Sequence, residues 1–175
     1  AISEEQLRAI LGRTLKPDQL NQFIRAVRSR GGLLEERAEL FQFLHLSFQE
    51  FLAARRIAKQ RDAALLGLER HLPDSWWRET LLLTYGFARL DYREFAEKYL
   101  GWLSNRTKNG EIRLAGLELA GSALLEIETP DAADQQVQAD KLVTVLQDQE
   151  IRAPAIVRAR AGATLARLGD PRFRP

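Results

Sequence analysis

The sequence predicts a mainly α-helical protein with one short β-hairpin in its first third. Three observations predict this fold class. Apolar residues recur at helical spacing along most of the 175-residue chain, a strand-like alternation replaces that spacing only between residues 33 and 45, and breaks rich in glycine, proline or polar residues separate the helical stretches. Hydrophobic residues make up 45% and charged residues 29% of the chain, which is the balance of a folded globular protein and not of a disordered one.

The first long helix is predicted to begin at Pro17-Asp18 and to end at Gly31-Gly32. The proline ring fixes φ in the first turn, and the aspartate carboxylate interacts favourably with the helix dipole. Apolar residues recur every three or four positions between these limits, as on a helix with one buried face: Leu20, Phe23, Ile24 and Val27.

Two short strands are predicted next, at residues 33–36 and 40–45, with a polar turn of Arg37, Ala38 and Glu39 between them. Within the second strand, a glutamine between two phenylalanines has the alternation of a strand with one buried face. A short β-hairpin is therefore expected after the first long helix.

A further helix is predicted to begin at Ser47. Ser47 and Glu50 have the spacing of a capping box, in which each side chain bonds the other residue's backbone N–H. Its buried stripe is expected to hold Phe48, Phe51 and Leu52. Helix, helix, hairpin and helix in this order predict the last part of a winged-helix domain, which we assign to residues 1–60.

Residues 61–175 are predicted to form stacked α-hairpins. Polar breaks at residues 104–110 and 128–134 separate apolar helical patterns, and residues 168–171 have the glycine and proline of a helix end before a connector at residues 172–175. Five helices are expected, around residues 81–88, 95–103, 112–125 and 139–146 and after Pro154.

An internal similarity predicts that these hairpins are HEAT-like or armadillo-like repeats. The pattern A-G-x-x-L-A begins at Ala115 and again at Ala161, 46 residues later, within the ~40–47 residues of such repeats. Glycine in a helix interior costs about 1 kcal/mol relative to alanine, so Gly116 and Gly162 are expected to contact a neighbouring helix closely. Chance similarity between two alanine-rich helices is the alternative.

The motifs of the common enzyme classes are missing from the sequence, so we predict that the chain is not an enzyme. No glycine precedes a lysine, and no two glycines are separated by one residue, which excludes a phosphate-binding loop and a dinucleotide-binding fingerprint. His45 and His71 lack the partners of a zinc hydrolase. Four carboxylates are interpreted as solvated surface acids: Glu35, Glu36, Glu126 and Glu128.

Cysteine is absent, which excludes disulfides, thiolate metal sites and cysteine nucleophiles. No apolar run reaches the ~18 residues of a membrane span, and the first residues have no cationic signal-peptide start. We expect a cytoplasmic protein that does not contact membranes. Because the chain does not begin with methionine, we interpret it as part of a longer protein.

The segment from Phe41 to Ala54 resembles the end of the winged-helix domain in NACHT-type STAND NTPases, signal-transducing proteins that include the NOD-like receptors and many bacterial relatives. It matches the family pattern F-x-F-x-H-x-[ST]-F-Q-E-[FY]-x-A-A at every specified position. Residues 76–83 resemble the start of the helical region that follows in this family. Residues 160–172 are similar to a helix that often precedes a further module, such as a formylglycine-generating, lectin-like fold.

This resemblance implies that a nucleotide-binding core lies upstream of Ala1, and that ADP or ATP binds there with Mg²⁺ and not to this chain alone. It also implies that His45 contacts the phosphate end of bound ADP and helps to hold the closed, inactive state. The chemistry is suitable because an imidazole N–H can donate to a phosphate oxygen. A structural role for His45, with its imidazole bonded to a backbone carbonyl, is the alternative.

The leading functional interpretation is a non-catalytic regulatory and sensor part of a NACHT-type NTPase. Its helical repeats would bind a protein partner or ligand and shift the upstream core toward an open, oligomerising state. The bacterial resemblance suggests antiviral defence. A free-standing HEAT-like interaction scaffold is one alternative.

A DNA-binding winged helix is the other alternative. Its phosphate contacts would come from basic residues of two helices, Lys16, Arg25, Arg28, Arg30, Arg55, Arg56, Lys59 and Arg61. The formal net charge is only +2, and the hairpin carries three acids that would repel a phosphate backbone: Glu35, Glu36 and Glu39. Binding to nucleic acid is therefore not expected.

Other polar and aromatic residues are given structural roles. Gln49 and Glu50 lie in the first turn of the predicted helix, where capping explains them. His71 is interpreted as a helix-terminal residue. Trp76 and Trp77 are expected to pack between hairpins, and an exposed partner anchor is the alternative.

Overall fold

The structure is a computed structural model that describes residues 1–30, 32–106, 110–129 and 131–173, with Arg30 described by its backbone alone. The described chain is mainly helical and contains a small antiparallel sheet, which confirms the predicted fold class at that level. It divides into two compact units, Ala1–Leu52 (unit 1) and Ala53–Pro175 (unit 2). The domain boundary after residue 60 stays a prediction.

Among the described residues, unit 1 contains three short strands, two complete helices and the start of a third helix. Its elements are β1 (Ile2–Ser3), α1 (Glu4–Leu11), α2 (Pro17–Arg30), β2 (Leu34–Arg37), β3 (Leu40–Phe43) and the first turns of α3 (Leu46–Gln60). The strands lie antiparallel in the order β1-β3-β2. Helix α2 and the hairpin are confirmed, but β2 includes Arg37 of the predicted turn and β3 ends at Phe43 instead of residue 45. The pairing of β1 with β3 was not predicted. The core consists of five buried side chains: Leu7, Leu20, Ile24, Val27 and Phe41.

The hairpin turn contains two residues in the left-handed region. Arg37 pairs with Leu40, and the two residues between them, Ala38 and Glu39, have φ values of +50° and +63°. Two consecutive positive φ values are typical of the type I′ turn, whose twist matches that of the flanking strands. Because neither residue is glycine or asparagine, the turn carries backbone strain.

The predicted capping box at Ser47 is wrong. Strand β3 ends at Phe43, and α3 already begins at Leu46, which places Ser47 inside the helix. The N–H of Phe48 instead donates to the His45 carbonyl oxygen at 3.1 Å. A capping box does form at α1, where the side chains of Ser3 and Gln6 each accept from the other's backbone N–H.

Unit 2 contains the rest of α3 and six further α-helices among the residues that the structure describes. They are α4 (Asp62–Leu68), α5 (Ser75–Asp91), α6 (Arg93–Ser104), α7 (Gly110–Leu125), α8 (Ala132–Gln147) and α9 (Ala155–Leu168). The five predicted helices, α5 to α9, are confirmed. Their HEAT-like character stays a prediction. Parts of the predicted breaks and the end of the connector, residues 107–109, 130 and 174–175, lie outside the described residues, as does Gly31.

Helix α7 lies at the centre of unit 2. Every residue from Leu114 to Leu124 is buried, because α5, α6, α8 and α9 all pack against this helix. Its apolar character on all sides is thereby explained. Among the described residues, none of the helices combines the length and the apolar character that a membrane span requires.

The two glycines of the internal similarity have different surroundings. A Cβ on Gly116 would lie 2.4 Å from the Leu103 carbonyl oxygen, which confirms the predicted close approach. A Cβ on Gly162 would meet nothing within 4 Å, so that half of the prediction is wrong. The close contact between α7 and α9 occurs instead at Gly121, where a Cβ would lie 2.8 Å from Thr164 Cγ2.

Candidate functional site

His45 lies in the two-residue connection between β3 and α3. Its side chain is exposed, and the imidazole centroid lies 5.8 Å from that of Phe48, with the two rings tilted by 49°. Within the described residues the imidazole forms no hydrogen bond. His45 is also next to the first turn of α3, where the helix dipole favours an anion. The geometry leaves the imidazole available to a group from outside this chain.

Large apolar side chains surround His45 in the sequence and are exposed as well. We call five of them the 44–52 surface: Leu44, Leu46, Phe48, Phe51 and Leu52. Each is between 37% and 47% exposed, although three were predicted to be buried. The buried residues of α3 lie further along the helix, at Ala54, Ile57 and Ala58. A concentration of exposed apolar side chains is typical of an interaction surface.

Arg28, a residue of the DNA-binding alternative, is held within unit 1 by two carboxylates. Its Nε lies 2.6 Å from Glu36 Oε2, and its Nη2 lies 2.7 Å from Glu4 Oε2. The hydrogen bond from Arg28 lowers the pKa of Glu36. Arg8 first and then Arg28 lower the pKa of Glu4. Glu36 therefore pairs with an arginine that would contact phosphate only in the DNA-binding alternative, and the pair partly neutralises the acidic charge of the hairpin.

The remaining basic residues of that alternative are exposed where their side chains are described: Lys16, Arg25, Arg55, Arg56, Lys59 and Arg61. Gln49 is exposed and Glu50 is half-buried. The acids Glu35 and Glu36 are half-buried, and Glu35 accepts from Gln42 Nε2 at 2.7 Å. Glu126 and Glu128 are exposed, as predicted for surface acids.

The two adjacent tryptophans have different roles. Trp77 packs against the core of unit 2 and stacks on His71, with ring centroids 4.3 Å apart, which confirms the prediction for Trp77. His71 ends a short 3₁₀ segment, Glu69–His71. Trp76 is 69% exposed, so the prediction that it packs between hairpins is wrong.

Helix α7 contains a buried carboxylate that was not predicted from the sequence. Glu118 on α7 is 3% exposed, and its Oε1 accepts from Arg78 Nη2 at 2.7 Å, from Ser122 Oγ at 2.8 Å and from Thr164 Oγ1 at 3.2 Å. These bonds connect α5, α7 and α9. The sequence feature that could have indicated this buried carboxylate is that Glu118 is the one charged residue between Ala115 and Leu125.

Among the described residues, no group of three or more histidine, aspartate or glutamate side chains is placed to hold a metal ion. Comparison with protein-family models, with curated proteins and with solved structures finds no match to the chain.

Proposed function

We propose that this chain is the non-catalytic regulatory part of a NACHT-type STAND NTPase. In this proposal, unit 1 is the end of the winged-helix domain and unit 2 is a HEAT-like sensor. An upstream core binds ADP or ATP with Mg²⁺, and His45 donates to the phosphate end of ADP in the closed state. A partner that binds unit 2 shifts the population toward the open state.

The observation that carries the proposal is the placement of the Phe41–Ala54 motif. The motif covers the end of the hairpin and the start of α3, and it leaves the His45 imidazole without a hydrogen-bond partner among the described residues. It also leaves the 44–52 surface exposed. A protein that docks a nucleotide core through this segment needs both features: a donor for phosphate and apolar area for the contact.

The topology of unit 1 also supports the proposal. Two helices followed by a β-hairpin, with a short first strand beside the hairpin, match the order of elements expected for the last part of a winged-helix domain. In unit 2, α7 packs against α5 and α9 as well as against its neighbours in the chain. Contact between alternate helices is expected when helical hairpins stack on one another.

The coding sequence upstream of the Ala1 codon tests the proposal. We expect a phosphate-binding loop, G-x-x-x-x-G-K-[ST], within a few hundred residues of Ala1. We also expect that calorimetry on the isolated chain finds no tight binding of ADP or ATP. An upstream sequence without such a loop, or tight nucleotide binding by this chain alone, contradicts the proposal.

A further inference from the structure

Unit 2 has an open groove between α5 and the end of α7. Its volume is about 490 Å³, within the range of ligand-binding clefts. On α5, the groove is lined by residues at positions i, i+3, i+4, i+7 and i+11, which lie on one face of the helix: Glu79, Leu82, Leu83, Gly86 and Leu90. The residues that line the groove include Glu79, Leu82, Leu83, Gly86, Arg89 and Leu90 on α5, and Glu126, Ile127 and Glu128 after α7.

Gly86 lies in the middle of the α5 face of this groove. A glycine in a helix interior costs about 1 kcal/mol relative to alanine. At Gly116 and Gly121 a tight contact with another helix explains the glycine. At Gly86, which is exposed, a Cβ would meet nothing within 4 Å. The missing side chain leaves bare helix backbone in the groove, where another chain can approach closely.

The groove combines apolar contact area with an acidic rim. Leu90 is 82% exposed, half-buried Leu83 and Ile127 supply further apolar surface, and the buried Leu82 also lines the groove. Three glutamates line the groove against one arginine, Arg89. Within the described part of the chain, none of these three glutamates forms an ion pair. A partner with an apolar face and basic flanks is therefore complementary to this groove.

We propose that this groove binds the apolar face of a basic amphipathic helix from a partner protein. A helix that lays its apolar side chains in a groove is a common mode of peptide recognition. Gly86 admits a large side chain of the partner, and Glu79, Glu126 and Glu128 attract its lysines or arginines. The proposal names the kind of partner that unit 2 senses, and in that respect it rests on the proposed function.

The test uses two synthetic peptides and fluorescence anisotropy on the 175-residue chain. One peptide has leucine at i, i+3, i+4 and i+7 and lysine at the remaining positions, and the other has glutamate in place of lysine. We expect the lysine peptide to bind roughly tenfold or more tightly than the glutamate peptide. Glu79→Lys with Glu126→Lys should weaken the first and strengthen the second.

Gly86→Leu is the decisive variant, because it adds a large side chain to the groove at an exposed position where a Cβ meets nothing within 4 Å. It should weaken binding of the lysine peptide by roughly tenfold or more. The matched control is Gly162→Leu, since a Cβ there also meets nothing within 4 Å. That control should bind like the unchanged chain. Circular dichroism of both variants checks that they fold.

Three outcomes overturn this inference. They are undetectable binding of the lysine peptide, equal binding of both peptides, and binding that Gly86→Leu leaves unchanged. Sedimentation tests the competing occupant, because self-association that Gly86→Leu abolishes would assign the groove to a second copy of this chain. Nucleotide retention by the full-length protein is measured separately. A groove that binds no helix is therefore distinguishable from a His45 that does not hold ADP.

Discussion

Glu118 connects three helices of unit 2 through the hydrogen bonds of one carboxylate. Its carboxylate accepts from Arg78, Ser122 and Thr164, and it is almost completely buried. Its ion-pair partner Arg78 is half-buried, so removing the carboxylate leaves a partly desolvated guanidinium uncompensated. Arg78 Nε is itself buried without a partner among the described residues, so the arginine depends further on this carboxylate.

We expect Glu118→Ala to lower the free energy of unfolding by about 3 kcal/mol. Glu118→Gln, which keeps an acceptor oxygen, should lower it by roughly 1 kcal/mol. Tryptophan fluorescence during urea denaturation measures this, since all three tryptophans lie in unit 2. Glu126→Ala is the control at an exposed site. A loss for Glu118→Ala no larger than that of the control would show that the buried bonds contribute nothing.

Gly116 and Gly162 allow a matched comparison of how an added methyl group changes the free energy of unfolding. Gly116→Ala places a Cβ against the Leu103 carbonyl oxygen, a backbone atom that cannot move away freely. We expect a loss of roughly 1–3 kcal/mol in unfolding free energy. Gly162→Ala should gain up to about 1 kcal/mol, because alanine favours the helix and meets nothing nearby. Equal effects in the same urea measurements would disprove this account of the two sites.

Among the elements, the β2–β3 hairpin carries strain that its sequence can relieve. Ala38 and Glu39 have positive φ, which costs about 1–2 kcal/mol per ordinary residue. Ala38→Asn with Glu39→Gly, the preferred type I′ pair, should stabilise the hairpin by about 1 kcal/mol or more. Slower hydrogen exchange of the amides from 34 to 43 is the expected result. Unchanged or faster exchange would mean that the turn is not of this type.

The ion pairs of Arg28 connect α2 with α1 and β2, which gives unit 1 a dependence on pH. The pKa values of Glu4 and Glu36 are lowered in the folded chain. Their stabilising effect is therefore fully present above the unfolded carboxyl pKa of about 4.3. It is lost as the pH falls through the lower pKa values of the folded state.

Arg28→Gln should reduce the protection of the α2 amides against hydrogen exchange at neutral pH. Because the variant lacks the ion pairs, its protection should also fall less when the pH is lowered. Hydrogen-exchange protection factors at several pH values measure both effects. Arg25→Gln is the control, because Arg25 is an exposed arginine of the same helix without an ion pair among the described residues. If hydrogen-exchange protection depends on pH in the same way in both variants, the ion pairs of Arg28 do not stabilise unit 1.

Periodicity predicted the elements well because most helices bury one face against other parts of the same chain. The buried stripe of α2 followed from its apolar spacing, and the burial of α7 followed from its apolar character on all sides. The same rule failed for Phe48 and Phe51, since an apolar stripe indicates burial without saying what covers it. Strand β1 is two residues long and has no period to recognise. His45 was selected as a candidate by the motif, whereas the exposure of its surroundings required coordinates.

For the whole molecule, the proposed function requires that His45 and the 44–52 surface hold an upstream nucleotide core closed. A charge-assisted hydrogen bond to phosphate contributes about 1.5–3 kcal/mol. Its loss should therefore speed ADP release roughly tenfold or more. The DNA-binding alternative makes no such prediction, because its basic residues would act on a different ligand.

The most direct measurement is the rate at which the full-length protein releases a fluorescent ADP analogue, compared between the unchanged protein, His45→Ala and His71→Ala. We predict faster release for His45→Ala alone, because His71 stacks on Trp77 within unit 2. Equal release rates for all three proteins would contradict the assignment of His45 to the phosphate.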